Sequence, residues 1–489
     1  MCGTYFRVPT AEGCHLGHST IDTLSDDVLL CIFNSYRQGF VYHDCRGTWP
    51  WHKFVHVCRR WRRIIFAFPG YLDVHLRCKS NTHVQATLDI WPPLPLSIDT
   101  NLNAKDADEN DIISALEHRD RMAGIYLGRF NCSQLKKCIA LMQEPFPILR
   151  SLLLDVHEKM MFVITDTFLG GSAPLLQWIS LRGVLFPTLP KLLSSTSDLV
   201  YLSLKDVPTT GEGHISPDAM TACLSELTKL QYLTIAFLQP EEMSSPYPTD
   251  QRPPPSIHTI LPALTYLWLE GPHGYLEDLV GRVDAPILTS GHLELHDEPV
   301  FDTPRIPQFI HRTKIFKLLS KVDMYFRRNC GLRLCNAGIY ASFRSPTGSA
   351  RFSMSLPCSV FSDQVAIMEQ IFTQWPPLVA HVESLKLYDV VHEEERSWEG
   401  ITPWLGPLRP FTAVRTLQLG GMPIVALVAR ILGELEGERA TEVLPALRTI
   451  ELGYSEPGAS DSFRLLLGPF LDAREESEHS VAVNVGFTS

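Results

Sequence analysis

The sequence has no run of about 18 uncharged apolar residues, the length a helix needs to cross a bilayer, so no membrane span is expected. Its first residues, MCGTYFRVPTAEGCHLGHST, lack a basic segment followed by an apolar core, so no secretory leader is expected and residues 1–20 are read as a flexible N-terminus. Positive charge is in deficit: 43 Lys+Arg face 54 Asp+Glu, a formal net charge of −11, which disfavours nucleic acid as the main partner. The 12 cysteines contain no C-x-x-C pair and no regular spacing, so neither a disulfide framework nor a zinc site is implied. Catalytic signatures are missing as well. There is no G-x-S-x-G, no phosphate-binding G-x-x-x-x-G-K-[ST] and no H-E-x-x-H, and the charge run His392 to Arg396 is a solvated face. The expectation is a protein that is not an enzyme, holds no cofactor or metal, and resides in the cytoplasm or nucleus.

What the chain does have is a repeat. The pattern L-x-x-L-x-L, with Ile, Val or Met allowed, begins at Met122, Leu149, Leu176, Leu199, Leu230 and Leu264. It returns at Leu319, Val382, Val414 and Leu447, with a degenerate copy, Leu288/Gly291/Leu293, between the two groups. Successive copies start 23 to 34 residues apart except for one gap of 63, where Arg351 to Leu356 alternates as a strand should. Five copies carry a Pro two residues before the first leucine: Pro147, Pro174, Pro262, Pro286 and Pro445. The last two apolar positions of each copy lie two residues apart and so face one side of a strand. The spacing leaves room for a strand, a turn and a returning helix. Ser216-Pro217 caps one such helix, and residues 423–435 carry another. Such a unit cannot cover its own apolar face, so neighbours must stack. The fold class is α/β: an irregular leucine-rich-repeat-like array over 121–480 with a parallel concave sheet, the alternative being a doubly wound sheet.

Residues 21–70 have a different character. Leu24, Val28, Leu29, Ile32 and Phe33 follow helical spacing, with Asp26 and Asp27 at the favourable end of the helix dipole. Val57, Cys58 and Trp61 begin a second apolar-basic segment that Pro69 stops. The run Leu24-Ser25-Asp26-Asp27-Val28-Leu29-Leu30, then Ile32-Phe33, then Val57-Cys58-Arg59-Arg60-Trp61 resembles an F-box. With LDIWPPLP (88–95) and FLGGSAPLL (168–176), the whole chain is similar to the F-box/leucine-rich-repeat families of basidiomycete fungi. The resemblance implies a substrate-recognition subunit of an SCF-type ubiquitin ligase, whose F-box binds the small adaptor subunit and whose repeats bind a target protein. Ser25 stands where the family has Pro, and the tract between the helices is longer than the family pattern. A repeat scaffold with a decayed F-box and an α/β enzyme are the readings from other classes. Residues 71–120 are read as a connecting or capping segment, and 239–256, rich in proline, as an exposed loop.

A target site can be placed on the sheet. The residue before the second leucine points away from the core. In four successive copies it is Trp178, Tyr201, Tyr232 and Tyr266, an aromatic ladder, with Trp268 two positions on and Arg182 and Lys205 two further. Such a ladder either anchors a protein partner, with Arg182 and Lys205 selecting an acidic edge, or merely stabilises the sheet. Leu24, Val28, Leu29, Ile32, Phe33, Val57 and Trp61 are expected to form a joint apolar surface, partly internal and partly against the adaptor, the alternative being that they only pack the two helices together. On this reading Leu29→Asp abolishes adaptor capture and leaves the array folded, as a pull-down would show.

Overall fold

The computed structural model describes residues 21–41, 54–67, 74–78, 84–85, 88, 95–100, 108–156, 162–211, 213–238, 258–296, 305–315, 320–326, 329–335, 351–357, 368–373, 379–389, 405–435, 437–453 and 459–485. The chain divides into two units, Met1–His75 with Pro92–Pro95, and Leu76–Trp91 with Leu96–Ser489. The N-terminal stretch 1–20 and the proline-rich stretch 239–256 lie outside the described residues.

The first unit is built from α1 (Asp26–Val41) and α2 (Arg59–Ala67). Ser25 has a local job: its hydroxyl accepts from the Val28 N–H at 3.4 Å, capping α1. A capping side chain thus stands where proline would have fixed the turn. Arg60 of α2 reaches back to α1, donating to Asp26 Oδ1 and to the Leu24 carbonyl, each at 2.6 Å. Beneath this link Phe33 stacks on Phe54 and meets the edge of Trp61, with ring centroids 4.9 and 4.8 Å apart.

The second unit is organised by one 16-stranded sheet. Its strands in chain order are β1 (Val74–Arg77), β2 (Leu96–Asp99), β3 (Met122–Phe130), β4 (Ser151–Val156), β5 (Trp178–Arg182) and β6 (Tyr201–Val207). They continue as β7 (Tyr232–Phe237), β8 (Tyr266–Gly271), β9 (Ser290–Leu295), β10 (Lys321–Phe326), β11 (Asn329–Cys335) and β12 (Arg351–Pro357). The last four are β13 (Ser384–Asp389), β14 (Thr416–Gly420), β15 (Thr449–Leu452) and β16 (Ala482–Val485). From β2 to β9 every neighbour is parallel, and each copy of the repeat supplies one strand. The leucines are in register: Leu152 pairs with Ile179, Ile179 with Leu202, Leu202 with Leu233, and Leu233 with Leu267. These side chains are at most 3% exposed. Helices cover this face, as the contact of Phe237 on β7 with Tyr275 in the helix His273–Arg282 shows, at 4.5 Å between ring centroids.

The upstream prolines now have a mechanism. In all five copies the N–H of the first leucine donates to the carbonyl three residues back, as in Leu149 to Phe146 and Leu176 to Ala173. Leu264, Leu288 and Leu447 do the same. The proline therefore occupies the second position of a β-turn, where its fixed φ is already correct. Helix caps were also legible in the sequence. Ser216 accepts from the Ala219 N–H at 3.2 Å, with Pro217 in the first turn. Asn131, which opens a formal glycosylation triplet, is the N-cap of the helix Cys132–Leu141, with Gln134 completing a capping box.

The large parallel sheet is present, with one departure and one extension. The sheet is not uniformly parallel. Strand β12 does not follow β10 as a further repeat; the order is β9-β12-β11-β10-β13, and β11 is antiparallel to both its neighbours. Each antiparallel to the next, β10, β11 and β12 form a meander, which needs no crossover helix and runs back toward β9. The gap of 63 residues thus holds β11, antiparallel to both its neighbours, and β12, which runs parallel to β9. The sheet also begins earlier than the leucine pattern does, because β1 and β2 lie within 71–120.

The degenerate copy has a steric cause. A Cβ on Gly291 would lie 2.5 Å from Cδ2 of Phe352 on β12, whose ring occupies the leucine position of β9. Restoring the consensus should therefore harm the protein. Gly291→Leu is expected to cost about 1–3 kcal/mol by overpacking. Thermal melting and hydrogen exchange at 290–295 measure this, and Gly291→Leu with Phe352→Ala should recover part of the loss.

Candidate functional site

The sheet face opposite the leucines carries the expected ladder. Trp178, Tyr201, Tyr232 and Tyr266 are paired in register on β5 to β8. Trp178 and Tyr201 stack at 5.0 Å between centroids and 20° between planes. Tyr201–Tyr232 and Tyr232–Tyr266 follow, each at 5.9 Å. All four are half-buried. Sequence reasoning missed a fifth member. Tyr126 of β3 sits one row further along the strands, level with Ser180, yet its ring centroid lies 6.0 Å from that of Trp178, with the small Ser151 beside Trp178 on the intervening β4. The signal was an aromatic two residues out of phase with the others.

The next row along the strands is Ser180, Ser203, Thr234, Trp268 and His292. Ser203 and Thr234 are buried, covered by their larger neighbours. Small residues thus floor the face until Trp268 rises from it, its ring 4.1 Å from that of His292. His292 Nδ1 lies 2.6 Å from the Ser353 hydroxyl.

Charge occupies the row beyond. Arg182 on β5 and Lys205 on β6 are paired across the strands, and Glu270 on β8 pairs with Glu294 on β9. Between them lies Ala236 on β7, opposite an irregularity in β6 between Leu204 and Val207. Arg182 approaches Asp206 at 3.6 Å, both well exposed, a contact worth little. No ion pair reaches Lys205 among the described residues, and burial, then the nearby Arg182, pushes its ammonium below the usual lysine range. Glu270 is held below the ordinary glutamate range, chiefly by His296, whose Nε2 lies 3.3 Å from Oε1, while burial acts the other way. Its carboxylate therefore stays ionised at neutral pH. The stability it contributes is complete above the ordinary glutamate pKa and is lost only as pH falls through the lowered value.

The first unit splits the seven residues assigned to an adaptor surface. Leu29 is 0% exposed and Phe33 7%, so both are internal, while Leu24 and Trp61 are half-buried, Trp61 against Phe33 and Phe54. Val28, Ile32 and Val57 are 44%, 43% and 57% exposed. An apolar surface free for a partner therefore rests on these three. Leu29 and Phe33 thus belong to the internal part of the expected apolar surface.

Among the described residues no group of three or more His, Cys, Asp or Glu is placed to hold a metal ion, and no helix is long and apolar enough to cross a membrane. Cys78 and Cys138 are buried, with thiols pushed up to about 12 mainly by that burial, which leaves them poor nucleophiles. No family model and no curated protein matches the chain. Among solved structures, the leucine-rich repeat-containing protein LegL7 from Legionella pneumophila is similar at 12% identity, over 81% of this chain and 98% of that one, with a TM-score of 0.27.

Two outcomes follow from the burial pattern. Leu29→Asp buries a charge with no partner and should unfold the first unit, seen as lost hydrogen-exchange protection over 26–41. Tyr201→Ala removes two ring contacts and should cost about 0.4–2 kcal/mol, leaving the sheet intact by circular dichroism.

Proposed function

We propose that the chain is a substrate-recognition subunit of an SCF-type ubiquitin ligase. Its N-terminal helical pair acts as an F-box that binds the ligase's small adaptor, and its repeat array binds a target protein. The chain performs no chemistry of its own; holding a target beside a charged conjugating enzyme raises the effective concentration of the reacting groups. The observation that carries the reading is the pairing of two features in one chain. One is a helical pair matching the F-box pattern with Val28, Ile32 and Val57 exposed. The other is a repeat array whose uncovered face presents an in-register aromatic ladder. Half-buried aromatics rimmed by charge suit protein partners. Such a role belongs in the cytoplasm or nucleus and needs no cofactor, membrane or nucleic acid.

The second reading is a repeat scaffold that recruits no ligase. Co-expression of the full chain with a ligase adaptor subunit separates the two. The proposal expects a stoichiometric complex, and expects Val28→Asp with Val57→Asp to weaken it at least about a hundredfold while the fold is kept, since each buried apolar side chain is worth about 1.5–3 kcal/mol. Failure of the unaltered chain to capture the adaptor would favour the scaffold.

A further inference from the structure

Charge is spread unevenly along the chain. Residues 1–75 hold 8 Lys+Arg against 6 Asp+Glu, whereas the rest of the chain holds 35 against 48. The local excess of cations sits in α2, RRWRRIIFA, which has four arginines and no acid. Helical geometry sorts its side chains into two sets. Ile64 and Ile65 are buried, Trp61 meets Phe33, and Arg60 pairs with Asp26 of α1, so these four turn inward. Arg59, Arg62, Arg63 and Phe66 occupy the other side and are all exposed, Phe66 by 44%. They are three or four positions apart, which brings Cβ atoms within about 5–6 Å of one another. Three guanidinium groups thus surround one exposed ring.

This face works against its own helix. Arg59, Arg60 and Arg62 stand in the first turn, where the helix dipole disfavours cations. Arg59 also repels Arg62 and Arg63 at helical spacing. The cap does not offset this, because Cys58 offers only a thiol, whose Sγ accepts from the Trp61 N–H at 3.4 Å. Asp26 compensates Arg60 alone. Arg62 Nε donates to the Val55 carbonyl at 2.9 Å, which fixes the side chain without neutralising it. Arg59 and Arg63 have no ion pair among the described residues. We infer that the outer face of α2 docks an acidic segment of a protein partner, with carboxylates on Arg59, Arg62 and Arg63 and one apolar side chain on Phe66. The planar fork of each guanidinium matches both oxygens of a carboxylate. A long phosphate backbone fits less well, since it has no apolar side chain for Phe66 and meets the negative field of the rest of the chain. The face shares no residue with Val28, Ile32 and Val57, so the inference goes beyond the ligase reading.

The test uses the full chain and a fluorescein-labelled 12-residue peptide with six glutamates around a central leucine, read by anisotropy. The unaltered chain should bind it, and more weakly as added salt screens the exposed charges. Arg59→Glu/Arg63→Glu should weaken binding about a hundredfold, and Phe66→Ala several-fold with the salt dependence kept. Arg59→Glu alone suits the helix dipole and stands four residues before Arg63, so it should melt no lower than the unaltered chain while binding the peptide less. Unchanged affinity in a folded Arg59→Glu/Arg63→Glu variant overturns the inference. So does tighter binding of a 12-nucleotide single-stranded DNA, or of phosphatidylserine vesicles, than of the peptide. Adaptor capture separates the two proposals. Arg59→Glu/Arg63→Glu should keep the adaptor and lose the peptide, and Val28→Asp/Val57→Asp should do the reverse; loss of both by the arginine variant overturns the separate face. An unaltered chain that binds the peptide but captures no adaptor supports this inference and removes the ligase reading.

Discussion

Everything in the array depends on one constraint: a single strand-turn-helix unit exposes a leucine row that it cannot bury alone. Stacking in register solves this, because Ile179, Leu202, Leu233 and Leu267 then form a continuous row that the returning helices cover. Once the register is fixed by that row, alternation along each strand fixes the opposite face too. The aromatic ladder is therefore a consequence of leucine packing, and a slip of one residue would bury the tyrosines and expose the core. Local devices support the same register. The turn prolines set the entry of five strands, and Arg474 near the C-terminus is fully buried, its guanidinium bonded to the carbonyls of Val443, Leu444 and Pro445 around one of those turns.

Much of this was legible because it is local and periodic. The second and third apolar positions of every copy fall in strands, and the ladder could be placed by counting from them. What was not legible depended on contacts between distant segments. The strand Arg351–Pro357 runs parallel to β9 like a repeat strand, but the reversed strand Asn329–Cys335 beside it carries no signal of its direction in the sequence. Gly291 looked like decay of the motif, but it is the complement of Phe352, some sixty residues later. In the N-terminal module, helical spacing grouped Leu29 with Val28 and Ile32, although only the second helix decides which of them faces inward. The roles of His292 and His296 had no sequence signal at all, since each matters only through Ser353 or Glu270 on a neighbouring strand.

A division of labour follows. The leucine face and its helices hold the fold, and the aromatic and charged rows lie on the other face. The same separation holds on a smaller scale in the helical pair, where Leu29, Phe33 and Ile64 are internal and Val28, Ile32 and Val57 remain outside. The buried ion network on the helical side, in which Arg282 bridges Asp218 and Asp278 and Glu277 accepts from the backbone N–H groups of Arg305 and Ile306, is by contrast structural.

The proposed separation of folding and recognition onto opposite faces of one sheet is tested most directly by an alanine scan along β6 in the full chain, read for melting temperature and for retention of the protein partners that the unaltered chain captures. Leu202→Ala and Leu204→Ala should each cost about 2–5 kcal/mol of stability through the cavities they leave. Tyr201→Ala and Lys205→Ala should change stability by no more than about 2 kcal/mol while abolishing partner retention. Open-face substitutions that destabilise as much as the leucine ones, with retention unchanged in whatever remains folded, would contradict the account.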